Sequence, residues 1–155
     1  MGYLESCYFL FVVNQFTPAF KKQINSPKKI YNISNAFVDR IGFHFSDNLG
    51  GLLENCVFLA LRHKMVHVFY YKTKNNLEVD FIVYDRLPDF RLIQVAWSII
   101  DPQTKEREVN ALATAMQETH AKEGWVLTLA ESEEIIIHDM TIHVIPIYQW
   151  LLSSK

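Results

Sequence analysis

Glycine is scarce in this 155-residue chain, with five present: Gly2, Gly42, Gly50, Gly51 and Gly124. No arrangement of them gives the Gly-x-x-x-x-Gly-Lys-Ser/Thr loop that cradles nucleotide phosphates, or the Gly-x-Gly-x-x-Gly turn of a dinucleotide fold. By itself the chain is therefore neither a P-loop ATPase nor a Rossmann dehydrogenase. Cysteine is scarcer still. Cys7 and Cys56 match no zinc or redox spacing and read as buried free thiols in a reducing compartment. Long apolar runs are also missing: Tyr8 to Val13 falls far short of the roughly 20 residues of a membrane helix. Glu5 sits where a secretory signal wants positive charge. The expectation is a soluble, cytoplasmic protein with no membrane association.

Half of the residues are hydrophobic and 21% are charged, the balance of one globular domain rather than a disordered tail or a coiled coil. Charge is uneven along the chain. Residues 1–76 hold nine Lys/Arg against four Asp/Glu, and residues 77–155 hold six against thirteen. The basic half could meet DNA phosphates through Lys21, Lys22, Lys28 and Lys29. The plainer reading makes these four a solvated loop.

No repeat, low-complexity tract or flexible linker divides the sequence, so residues 1–45 and 46–155 read as parts of one α/β domain. Tyr8–Gln15 and Lys28–Ile33 are strand-like, separated by a basic loop with Pro18 and Pro27. Such a pair is marginal alone. Either it joins a larger sheet, or Met1-Gly2 marks the truncated or engineered start of a longer protein. Ser34 can cap a short helix through Asp39, ended by Gly42. From Asp47 to Lys64, apolar residues at spacings of three and four predict the clearest helix. Val66–Thr73 and Leu77–Tyr84 read as a hairpin around Lys74-Asn75-Asn76, and Phe90–Ile100 as a central strand buried on both faces. Pro102 opens a second helix that runs to about Lys122, with Gly124 as its stop. Trp125–Ala130 returns as a parallel strand by a right-handed crossover. A hairpin of Ile135–His138 and Thr141–Ile145 and a short helix after Pro146, bearing Ile147, Trp150 and Leu151, close the chain.

Chemistry concentrates in Glu78-Val79-Asp80-Phe81. Strand alternation puts Glu78 and Asp80 on one face and Val79, Phe81 and Val83 on the other. Paired carboxylates on a half-buried strand must be solvated, ionised or partnered. Glu54 lies at the margin of the apolar stripe of its helix. A helix glutamate converging with a strand aspartate suits a hard divalent cation, and Gln94 on the next strand offers one more oxygen. The plainer reading leaves Glu54 at the surface and pairs Asp80 with Lys72 or Arg91. His63 and His67 straddle a helix-to-strand junction and so do not share a face; His138 and His143 near Asp139 form at most an adventitious metal site. Trp97 reads as core packing, and no serine has the setting of a hydrolase nucleophile.

In order, Tyr3-Leu4-Glu5-Ser6, Lys29-Ile30-Tyr31, Gly51-Leu52-Leu53-Glu54-Asn55, Val68-Phe69-Tyr70-Tyr71-Lys72, Glu78-Val79-Asp80-Phe81, Ile93-Gln94-Val95 and Lys105-Glu106-Arg107-Glu108 resemble a known domain. It is the C-terminal domain of unknown function that follows an AAA-type ATPase module in many bacterial and archaeal proteins. The resemblance implies a PD-(D/E)xK, restriction-endonuclease-like core: helix, three-stranded meander, helix and parallel strand, here with an N-terminal strand pair and a C-terminal hairpin plus short helix. It implies an ATPase module upstream, and Glu54, Asp80, Gln94 and the Val95 carbonyl as ligands of Mg²⁺ or Mn²⁺. This chain departs from the pattern at Ala96, which stands where an active nuclease carries the lysine that orients the attacking water. The expectation is a catalytically degenerate module that binds nucleic acid, a partner or its own ATPase module. Two alternatives stand beside it. One is an active Mg²⁺- or Mn²⁺-dependent deoxyribonuclease with Lys72 in place of the lost lysine; the other is a structural module that forms a homodimer through the Tyr8–Val13 edge.

Overall fold

The structure is a computed structural model and describes residues 2–36, 49–64, 66–86 and 89–153. Helix α1 (Gly2–Ser6) leads into strand β1 (Leu10–Val13), helix α2 (Phe20–Asn25) and strand β2 (Lys29–Asn32). Helix α3 (Leu49–His63) precedes strands β3 (His67–Lys72), β4 (Glu78–Tyr84) and β5 (Arg91–Val95). Helix α4 (Pro102–Thr119), strands β6 (Glu123–Thr128), β7 (Glu133–Ile137) and β8 (Met140–Pro146), and helix α5 (Ile147–Ser153) follow. The segment expected to be a basic loop thus holds α2. Most of the helix expected after Ser34, together with Asp39, Gly42 and Asp47, lies outside the described residues. Within them, Ser34 Oγ accepts from the Ala36 N–H at 3.2 Å, as a capping serine does.

Six strands form one mixed sheet in the order β3-β4-β5-β6-β8-β7. β3, β4 and β5 are the antiparallel meander, and β6 lies parallel to β5 across the α4 crossover. The terminal hairpin joins the same sheet, β8 running parallel to β6. Because β4 and β5 are buried on both faces, helices cover the sheet from two sides. Val57, Phe58 and Leu61 of α3 and Trp150 of α5 pack with Phe81, Val83, Ile93 and Leu127. Leu112 and Met116 of α4 pack with Val79, Ile82, Leu92 and Val144. Each large apolar side chain so buried contributes about 1.5–3 kcal/mol.

β1 and β2 make a separate two-stranded ribbon whose backbone, among the described residues, meets the main sheet at one parallel bridge, Gln15 to Tyr70. The ribbon is anchored on the α3 side. Tyr31 stacks on Phe58 with ring centres 4.4 Å apart, and Asn55 bonds both the N–H and the carbonyl of Asn32. These contacts make up for the marginal stability of two strands alone.

Helix α4 begins where expected, with Asp101 accepting from the Thr104 N–H at 2.8 Å and Pro102 following. It ends earlier than expected. His120, at φ 59°, is the left-handed cap, and Gly124 is not the stop. Gly124 lies within β6, where an added Cβ would come within 2.7 Å of Met116 Sδ and 3.2 Å of Leu112. The glycine therefore sets how closely α4 approaches the sheet. Gly124→Ala is expected to lower stability by about 1–3 kcal/mol through overpacking, read as a drop in the urea midpoint at unchanged slope.

Strand alternation fails at one place, and the failure shapes the site. Phe69 pairs with Ile82 but Tyr71 pairs with Val79, so Asp80 and Phe81 both stand opposite Tyr70. This bulge turns two consecutive β4 residues toward the α3 side. Val79 consequently packs under α4, away from Phe81 and Val83, rather than with them as alternation predicts.

Candidate acidic site

The bulge aims Asp80 at the first turns of α3, where Glu54 sits, and the ribbon lays β2 across both. Lys29 and Tyr31 are two apart on β2 and share a face. The Lys29 Nζ lies 2.7 Å from Asp80 Oδ1, 3.0 Å from Glu54 Oε1 and 3.0 Å from Glu78 Oε1. Tyr31 donates its hydroxyl to the same Glu54 oxygen at 2.6 Å. The other Asp80 oxygen accepts the Val95 N–H at 2.9 Å. A pocket of about 410 Å³ opens beside the cluster, lined by Lys29, Tyr31, Asn32, Glu54, Asn55 and Glu78 among others.

Burial governs the electrostatics. It pushes the Asp80 carboxyl up to about 7, reinforced by the Glu54 charge and only partly opposed by Lys29. For Lys29, burial pulls downward, but the charges of Asp80 and Glu54 outweigh it and hold the ammonium above its ordinary value. The Tyr31 phenol is raised by burial and by the Glu54 carboxylate, so it remains a hydrogen-bond donor.

The expected site residues separate into two groups. Glu54 and Asp80 come together, joined through Lys29. Gln94 meets only the backbone of this cluster: its Oε1 accepts the Asp80 N–H at 3.2 Å. Its Nε2 donates to Glu108 Oε2 of α4 at 2.6 Å, and Arg107 neutralises Glu108 at the same distance. Val95 offers Asp80 its N–H. Ala96 is buried among Ile99, Leu112 and their neighbours under α4.

Lys72, the expected replacement for the missing lysine, stands opposite Glu78 in the β3–β4 ladder, and the ammonium that reaches Asp80 is that of Lys29. Arg91 pairs with Asp85, so neither partner of the plainer reading meets Asp80. Of the proposed phosphate-binding lysines, Lys29 is enclosed by carboxylates and Lys28 donates to Asn14 at 2.6 Å. Lys21 is exposed, and the Lys22 side chain lies outside the described residues.

Other expectations also change. Trp97 is 40% exposed and lies beyond the end of β5 at Val95, so it is not core packing. Cys7 is exposed and Cys56 half-buried, both free. His63 Nδ1 lies 2.7 Å from the Leu59 carbonyl, His67 stacks on Tyr84, and Asp139 is ion-paired with Lys122. Among the described residues, no three His, Cys, Asp or Glu side chains are arranged to hold a metal ion, and Glu54, Glu78 and Asp80 meet around the Lys29 ammonium instead. No helix among the described residues is long and apolar enough to cross a membrane.

The residues present therefore do not fit the divalent cation that the resemblance implies. The point where carboxylate oxygens converge is held by an ammonium, and the Gln94 oxygen is bonded to a backbone N–H. Lys29, Tyr31 and Glu108 are members of the network to which the sequence reading gave no such role, whereas Glu78, read with Asp80 as a carboxylate in need of a partner, finds one in Lys29. The available signal was a lysine and a tyrosine two apart on a strand-like run, one face of which had to meet something polar.

Residues 49–150 match the family described as Domain of unknown function (DUF4143). The chain is also 30% identical, over 168 residues and 99% of its length, to an uncharacterized protein of Methanocaldococcus jannaschii. It spans 35% of that relative's length. No solved structure matches.

Proposed function

This chain belongs to the DUF4143 family, and from the geometry of its acidic site we propose that it is a nuclease-like module that does not cleave and instead docks a protein partner. The observation that carries this reading is the end of β5. Ala96 places a methyl group in the core where the nuclease pattern needs an amine, and Gln94 is a neutral amide tied to Glu108. Orientation of water and stabilisation of charge developing on phosphate both need a cation at this end of the strand, and such a group typically contributes several kcal/mol. The bonds of Lys28 and Lys29 to side chains of this same chain favour a protein partner over nucleic acid, because they remove two cations from any phosphate-binding surface. In the longer protein that the resemblance implies, the AAA-type ATPase module is the first candidate partner.

A second reading, an active Mg²⁺- or Mn²⁺-dependent nuclease with Lys29 supplying the missing amine, draws on the 2.7 Å approach of Lys29 to Asp80. One assay separates the two. Supercoiled plasmid and single-stranded DNA incubated with Mn²⁺ are expected to remain intact at the level of a Glu54→Ala/Asp80→Ala control. Cleavage above that control that disappears in Lys29→Met would establish the nuclease and end the docking reading.

A further inference from the structure

An ammonium group has three N–H bonds, and three carboxylates surround that of Lys29, at 2.7, 3.0 and 3.0 Å. Its donors are thus matched by its acceptors within the protein. The acceptors come from α3 and β4, while the amine arrives from β2, a strand of a different sheet. Oxygens brought to one point by separate elements are what a hard divalent cation requires. Here a tethered nitrogen stands at that point. We propose that the Lys29 ammonium is the resident cation of this cluster, taking the place of a divalent ion and closing Glu54, Glu78 and Asp80 to Mg²⁺ and Mn²⁺.

This inference deepens the non-cleaving reading and rests on it. First, the tether keeps the ammonium at high effective concentration, so a free ion must displace it rather than fill an open site. Second, displacement would strand a cation on a side chain that is only 20% exposed and whose Nζ has Glu54, Glu78 and Asp80 as its partners. Third, the ribbon that delivers the amine is fixed independently, by Asn55 on the Asn32 backbone and by the stacking of Tyr31 on Phe58. The amine therefore does not leave without disturbing packed core.

The test is a Mn²⁺ titration of the full chain followed by paramagnetic broadening of its amide signals. In the wild type, the signals of Glu54, Glu78 and Asp80 are expected to show no selective broadening up to about 1 mM, the weak end of oxygen-ligated divalent sites. In Lys29→Met the same signals are expected to broaden at roughly a tenth of that concentration or less, because the competing charge is gone. Selective broadening in the wild type overturns the proposal, as does a folded Lys29→Met protein that binds no better. If Lys29→Met does not fold, the wild-type titration decides alone: selective broadening at the three residues overturns the proposal, and its absence, with the Lys29 ammonium signal retained, supports it. Mn²⁺ binding without DNA cleavage would defeat this inference and leave the non-cleaving reading standing.

Discussion

Lys29→Met is expected to destabilise the fold by about 3 kcal/mol near neutral pH, the scale for removing one partner from a buried ionic group. Methionine matches the apolar stem of lysine, so the loss comes from the charge. Without the ammonium, Glu54, Glu78 and Asp80 face one another with no cation between them, and Asp80 is almost fully buried. The penalty should shrink as pH falls, because protonated carboxyls neither repel one another nor need a counter-charge. Urea unfolding of the two proteins at mildly acidic and mildly alkaline pH measures both effects. A loss below about 1 kcal/mol at the higher pH would mean that the cluster behaves as a solvated surface group.

The second large effect is on the wild-type stability curve. Asp80 has an ordinary value of 3.8 and is raised to about 7 in the folded chain, chiefly by burial and then by Glu54. Between those values the native state binds a proton that the unfolded chain has released. By linkage, stability falls as pH climbs through this window and levels off above it. The contribution of Asp80 to the slope is at most about 1.4 kcal/mol per pH unit. Lys29, held above its ordinary value, keeps its charge throughout the window and adds no slope there. Asp80→Asn is expected to lose this decline, whatever it costs in absolute stability, since the backbone and ammonium bonds of Asp80 are altered too. A wild-type stability that rises through the same window would show that the native carboxylate is already ionised there.

Much of the fold follows from local chemistry. The 3.6-residue period of α3, the Asp101-Pro102 start of α4, the hairpin at Lys74-Asn75-Asn76 and the β-rich runs of the main sheet are local properties, readable without knowing what lies across the chain. The importance of Glu54 and Asp80 was legible for a related reason: a carboxylate in an apolar pattern is costly wherever the chain folds. The end of α4 was not legible, because a histidine in the left-handed region is unusual and the nearby Gly124 offered a more common cap.

Composition and spacing thus dictate which residues need a polar partner and which segments become helix or strand. Which partner answers is set by packing between distant segments. Strand periodicity carries no information about a one-residue bulge, so the turning of Asp80 and Phe81 to the same side emerged only with the β3–β4 register. Nor does spacing tell Lys72, on the neighbouring strand, from Lys29, more than fifty residues from Asp80. The choice was made by the ribbon's packing on α3, where Tyr31 and Asn55 fix β2 and bring its lysine over the acids. Long-range packing of this kind depends on shape and burial summed over many residues, and no single stretch of chain encodes it.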